Sequence, residues 1–204
     1  MPIQEKYQAT LEVGNYYHIY NRCHSSLKLF YEAKDYKYFL SKTIDTIVPF
    51  VDLLAYTLIP NHFHFLIRPN EEIELFLNKR YSSCDDFLTN QFRSLFIGHT
   101  KSVNNRLDRH GGLFCRPFRA IDVTDPDYLE HLFYYLHYNH VHHQMGKSLI
   151  DYPYSSYTEL IAKAPTFLNR ELVFELFGGR EEFIKKHKQN RNRFIDLPFQ
   201  IDIE

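Results

Sequence analysis

Tryptophan is absent from the chain, cysteine is scarce, and positive and negative charges almost cancel. The three cysteines, Cys23, Cys84 and Cys115, are odd in number and form no CxxC pair. That excludes a disulfide frame and a thiolate zinc site, and it points to reduced thiols in a cytoplasm. No stretch approaches the roughly 18 to 20 apolar residues that a membrane span requires, so no membrane partner is expected. The first residues, MPIQEKYQAT, lack a basic segment followed by an apolar one, so no signal peptide is expected. Internal repeats and low-complexity linkers are missing too. The 204 residues suffice for one sizeable core, or one domain with a tail, and 44% hydrophobic content speaks against wholesale disorder.

A net charge of −1 does not advertise nucleic-acid binding, but the basic residues are unevenly distributed. Between Gln91 and Arg119 stand Arg93, Lys101, Arg106, Arg109, Arg116 and Arg119, against Asp108 alone. A second basic run extends from Lys185 to Arg193. Such runs are also what a solvated face looks like. The 16 Tyr and 18 Phe suit base stacking and core filling equally, so composition alone does not decide.

Periodicity orders the chain. Tyr16 to Asn21 reads as a strand, Asp35 to Val48 as a helix ending before Pro49, and Phe50 to Ile59 and His62 to Ile67 as strands joined at Pro60-Asn61. Asp85 to Leu107 reads as a long helix and Leu113 to Val123 as a fourth strand interrupted by Pro117. Asp125 to His140 reads as a third helix, opened by Asp-Pro-Asp. The order β-α-β-β-α-β-α predicts an α+β, ferredoxin-like antiparallel sheet with one added helix. Residues 1–160 are assigned to this domain and 161–204 to a C-terminal helical extension, with a helix over Glu171 to Lys188 broken at Gly178-Gly179.

Two groups of residues carry chemistry. On a strand, residues two apart share a face, so His62 and His64 stand side by side while Phe63 and Phe65 turn to the core. Two such imidazoles can share a divalent ion. In the third helix Leu129, Leu132, Phe133 and Leu136 form a packing side, and the other side carries Tyr128, His131, Tyr135, Tyr138, Asn139 and His142. Tyr135 and Asn139 lie one turn apart on one face, so an amide oxygen can complete a metal site beside a phenol. Two imidazoles and an amide leave positions open for phosphate and water, which suits Mg²⁺ or Mn²⁺. A tyrosine hydroxyl is a weak nucleophile at neutral pH, and a metal-neutralised phosphate is the target it needs.

The strand Ile59-Pro60-Asn61-His62-Phe63-His64-Phe65-Leu66-Ile67 resembles the His-hydrophobe-His motif of the HUH single-tyrosine transposases. Tyr17-His18-Ile19-Tyr20-Asn21-Arg22 looks like that family's first strand, and Gly112-Leu113-Phe114 with Arg116 and Phe118 is similar to its fourth. Tyr135-Leu136-His137-Tyr138-Asn139 with Val141 resembles the Tyr-Ile-x-x-Asn-Pro-Val helix of the REP-associated tyrosine transposases. The resemblance spans roughly residues 15 to 160, with the motifs in order. It implies a ferredoxin-like nuclease domain cutting single-stranded DNA near a hairpin, through a 5′-phosphotyrosine link and a free 3′-hydroxyl. Carried over by position, Tyr135 is the nucleophile and His62, His64 and Asn139 bind the metal. Arg22, Arg106, Arg116 and Arg119 are the expected nucleic-acid contacts. Both a monomer and a homodimer with tyrosines acting in trans stay open.

The family's Asn-Pro-Val is Asn139-His140-Val141 here. Without the proline the helix can run on toward His142, and His140 becomes an extra candidate ligand or phosphate contact. The rival reading is a non-catalytic RNA- or DNA-binding module with an RRM-like sheet, in which Tyr17 and Tyr20 stack on bases.

Overall fold

The computed structural model describes residues 8–24, 26–77, 80–115 and 117–191. Its strands are β1 (Tyr17–Arg22), β2 (Val51–Ile59), β3 (His62–Pro69) and β4 (Arg119–Asp122). Its helices are α1 (Ala33–Thr46), α2 (Cys84–Leu107), α3 (Pro126–His142), α4 (Tyr157–Ile161), α5 (Arg170–Phe177) and α6 (Arg180–Gln189). The sheet runs β2-β3-β1-β4 with every neighbouring pair antiparallel, the ferredoxin-like arrangement read from the sequence. The fourth strand is shorter than expected. Ladder pairing with β1 starts only at Arg119, after Pro117, which has no N–H to give, and Phe114 makes an isolated bridge to Cys23.

The pleat sorts the side chains of β3 between two layers. Phe63 lies 5.2 Å from Phe39 of α1 and 5.7 Å from Phe96 of α2, so those helices cover one face. His64 lies 5.4 Å from Tyr135, so α3 covers the other. Local chemistry sets each helix. Asp125 caps α3 by accepting from the Tyr128 N–H, Pro126 occupies its first turn, and Ser83 caps α2. As the missing proline allowed, α3 continues to His142 and stops where Gln144 turns left-handed.

The segment after Ile161 does not stand apart from the domain. Leu168, Val173, Phe177 and Phe183 join the common core, and His187 of α6 packs against Tyr134 and His137 on the outer side of α3. Gly178 and Gly179, with φ of 77° and 118°, make the break between α5 and α6 that was read from the sequence. Because α3 lies between the sheet and this segment, every residue from Leu132 to His140 is buried. The polar side of α3 read from the sequence is therefore divided: Tyr135 meets His64 over the sheet, while on the outer seam the Tyr138 hydroxyl donates to the His187 carbonyl at 2.7 Å. No described helix is long and apolar enough to cross a membrane, and Cys23, Cys84 and Cys115 form no disulfide.

Burial holds the imidazoles of His99, His137, His140 and His187 below their ordinary pKa, that of His187 at about 3. In the unfolded chain they titrate near 6.5, so below that pH the unfolded state takes up protons that the native state refuses. Stability is therefore present above pH 6.5 and lost as the pH falls, by up to about 1.4 kcal/mol per pH unit for each such histidine. The urea midpoint is expected to drop steadily from pH 7.5 to 5. A midpoint constant over that range would show that these histidines are not held neutral.

Candidate metal and nucleic-acid site

The site forms where the N-terminal end of β3 meets the C-terminal end of β1. His62 faces Arg22 across the ladder, and His64 faces Tyr20, which in turn faces Arg119 of β4. Directly opposed residues share a face, so two histidines and two arginines lie together on the α3 side. The rings of His62 and His64 are 4.9 Å apart and nearly perpendicular. His62 Nδ1 is 3.0 Å from Asn61 Oδ1, and as the amide oxygen can only accept, Nδ1 donates. His64 Nδ1 is 2.8 Å from Nε2 of His18. With both Nδ1 atoms engaged, a metal would be met through Nε2 of each ring, the arrangement in which an outer partner fixes tautomer and orientation.

Helix α3 lays a stripe at four-residue spacing over these rings. Tyr135 meets His64 edge-on at 5.4 Å, and two turns later His143, the C-cap, meets His62 at 5.0 Å. Asn139 lies midway between them on the same row of the helix, four residues from each. Its side chain is 1% exposed, and neither Nδ2 nor Oδ1 has a hydrogen-bond partner among the described residues. An amide left so costs about 1 to 3 kcal/mol, a cost that a ligand in the site would remove. Among the described residues, no three of His, Cys, Asp and Glu are arranged to hold a metal. A metal on His62 and His64 would thus need a donor of another type, and the unpartnered Asn139 oxygen is the candidate that the helix row offers. Two imidazoles and an amide suit Mn²⁺ better than Mg²⁺, which favours oxygen donors.

A cavity of about 840 Å³ opens beside the histidine pair. His62, His64, Tyr20, Arg22, Arg119 and His143 line it, and among the described residues no Asp or Glu does, so it suits a polyanion. Tyr135 and Asn139 do not line it, and Tyr135 is 4% exposed.

Other expected site residues lie elsewhere. Arg106 does not face this cavity: its guanidinium binds both carboxylate oxygens of Asp35, at 2.7 and 2.6 Å, and reaches Glu32, tying α2 to the start of α1. Arg116 lies outside the described residues. His140 stacks on Tyr152 and its Nε2 is 3.0 Å from the Ser148 carbonyl, so it holds the turn after α3 and is no ligand. Tyr17, one of the two stacking residues of the rival reading, is 1% exposed on the other face, its hydroxyl bonded to the Thr10 carbonyl, whereas Tyr20, the second, lines the cavity. His18 and His143 were not singled out in the sequence. Alternation along β1 places His18 on the face of Tyr20, and helical spacing from Tyr135 through Asn139 places His143; both signals were available.

Removing Arg106 strands the Asp35 carboxylate, itself 3% exposed, without its charge partner. Arg106→Ala is expected to lower the unfolding free energy by about 3 kcal/mol and to leave the salt slope of DNA binding unchanged. A flattened slope in a stable variant would return Arg106 to the phosphate contacts.

No protein-family model and no curated protein matches the chain. A solved structure of a REP-associated tyrosine transposase bound to a REP hairpin superposes on it with a TM-score of 0.58, at 15% sequence identity. The match covers 78% of this chain and 87% of that one. At that identity the likeness is one of fold, and the chain has the fold of a REP-associated tyrosine transposase.

Proposed function

We propose that the chain is a metal-dependent single-stranded DNA endonuclease and strand transferase of the HUH single-tyrosine type, acting on hairpin-bearing DNA with Tyr135 as nucleophile. The observation that carries this reading is the α3 stripe: Tyr135 against His64, His143 against His62, and the unsatisfied Asn139 amide on the row between them. The fold shared with a transposase bound to a hairpin supports the same substrate class. The RRM-like alternative has lost Tyr17 to the interior and gives no purpose to the buried Asn139.

In this reading a phosphodiester enters the cationic cavity and is held by Arg22 and Arg119. A divalent ion on His62, His64 and Asn139 would supply charge neutralisation at the phosphate. Tyr135 turns out past His64 to bring its hydroxyl in line. The phenolic oxygen bonds to phosphorus as the P–O3′ bond breaks; the electron pair leaves on O3′, which takes a proton to become a 3′-hydroxyl, and the phenol proton passes to water. The product is a 5′-phosphotyrosine, and attack by another 3′-hydroxyl reverses the step and joins strands. His18 is the positioning residue behind His64. Tyr134 and Tyr138 are poor substitutes, since their hydroxyls are bonded to Glu130 and to the His187 carbonyl. Tyr135 meets His64 of its own chain, so this chemistry needs no second copy.

Incubation with Mn²⁺ and hairpin-forming single strands from the gene's own flanks is expected to give a covalent protein–DNA adduct. Tyr135→Phe should abolish the adduct and leave strand affinity within about twofold, because a lone hydroxyl contributes little to phosphate-dominated binding. His62→Ala with His64→Ala should remove both Mn²⁺ binding and cleavage. An adduct that survives Tyr135→Phe, or cleavage that survives loss of both histidines, would overturn the assignment.

A further inference from the structure

A second cavity, of about 570 Å³, lies on the other side of the sheet from α3, between α2 and the segment leading into β4. Its size is in the range of small-ligand sites. One wall is a stripe of α2 at helical spacing: Arg93, Phe96, Ile97 and Lys101. The facing wall is Phe114 and Phe118, with Gly111 and Gly112 adding no side chain at the rim. Ile97 is 42% exposed, a large apolar side chain left open to solvent on the cavity wall. Among the described residues, Arg93 and Lys101, both exposed, have no carboxylate partner and no Asp or Glu lines the cavity. Flat apolar walls with two unpaired cations at the mouth match a heteroaromatic ring that carries a phosphate.

The place of this cavity narrows the occupant. Asn21, Cys115 and Pro117 line both it and the cationic cavity of the candidate site, so the two share a wall. Past Pro117, Phe118 contributes to the second cavity and Arg119 to the first. A strand held at its scissile phosphate by Arg119 therefore passes the rim of the second cavity within a few nucleotides. We propose that this cavity seats one unpaired nucleobase of the bound strand among Phe96, Ile97 and Phe118, with the phosphate of that nucleotide on Arg93 and Lys101. The proposal rests on the DNA-processing reading and adds the nucleotide that the protein grips apart from the cleaved one. Stacking of this kind tolerates several bases, and the cavity works as an anchor that sets the register of the cut.

The test uses the full chain and thymidine 5′-monophosphate, followed by backbone amide NMR. Saturable shifts are expected at Arg93, Ile97 and Lys101, and inorganic phosphate at equal concentration should not reproduce them. Ile97→Trp, at a position open enough to accept the larger ring, should fill the cavity, remove those shifts and weaken binding of the hairpin strand about tenfold. Arg93→Ala with Lys101→Ala should weaken the same binding and lower its salt slope by about 1 to 2. Equal shifts with inorganic phosphate, shifts confined to the cationic cavity, or unchanged strand affinity in Ile97→Trp would overturn the proposal. Nucleotide shifts at α2 in a protein that never cuts DNA would support this cavity while refuting the nuclease reading, so the two failures are distinct.

Discussion

The site depends on one packing contact, the lay of α3 across the His62-x-His64 face of β3. Tyr135 and His143 each touch one histidine of the pair, and that double contact fixes Asn139 between them. If α3 turned by one residue, Tyr134 or Leu136 would face the sheet and the stripe would be lost. The structure guards that rotation from both sides. Sheet contacts hold the inner side, while His187, Phe177 and Phe183 hold the outer side through Tyr134, His137 and Tyr138. The C-terminal helices thus serve the site without reaching it. They turn a helix that could ride on the sheet into one fixed in rotation, the kind of support a preorganised site needs.

Much of this was legible in the sequence because short periods carry it. Alternation along His62–Phe65 separates ligand candidates from core without further context, and four-residue spacing joins Tyr135 to Asn139. Element order gave the ferredoxin-like topology because strand and helix periods alternate cleanly up to Pro126. What stayed hidden was long-range. Arg106 reads as one more cation in a basic run, and only the fold brings Asp35 and Glu32, far away in sequence, to its guanidinium. Tyr138 and His140 read as functional for a similar reason. Polar aromatic side chains on a helix look like a working face until a later segment is seen to cover them.

The charge of the chain illustrates the same point at larger scale. A total of −1 conceals two cavities whose walls carry no carboxylate among the described residues, one bearing Arg22 and Arg119 and the other Arg93 and Lys101. The acids are spent elsewhere: Asp35 on Arg106, Asp52 on Arg68, Glu130 on Lys186. Local field, and not net charge, sets the affinity for a phosphate backbone. The shared wall of Asn21, Cys115 and Pro117 then makes the two cavities candidates for successive parts of one strand.

If the proposal holds, His62, His64 and Asn139 form one metal site under the control of α3. Anomalous diffraction from a crystal grown with Mn²⁺ addresses it most directly. One manganese peak is expected within bonding distance of Nε2 of His62, Nε2 of His64 and Oδ1 of Asn139. A peak bound by His62 and His143 with Asn139 turned away, or no peak at the histidine pair, would contradict it.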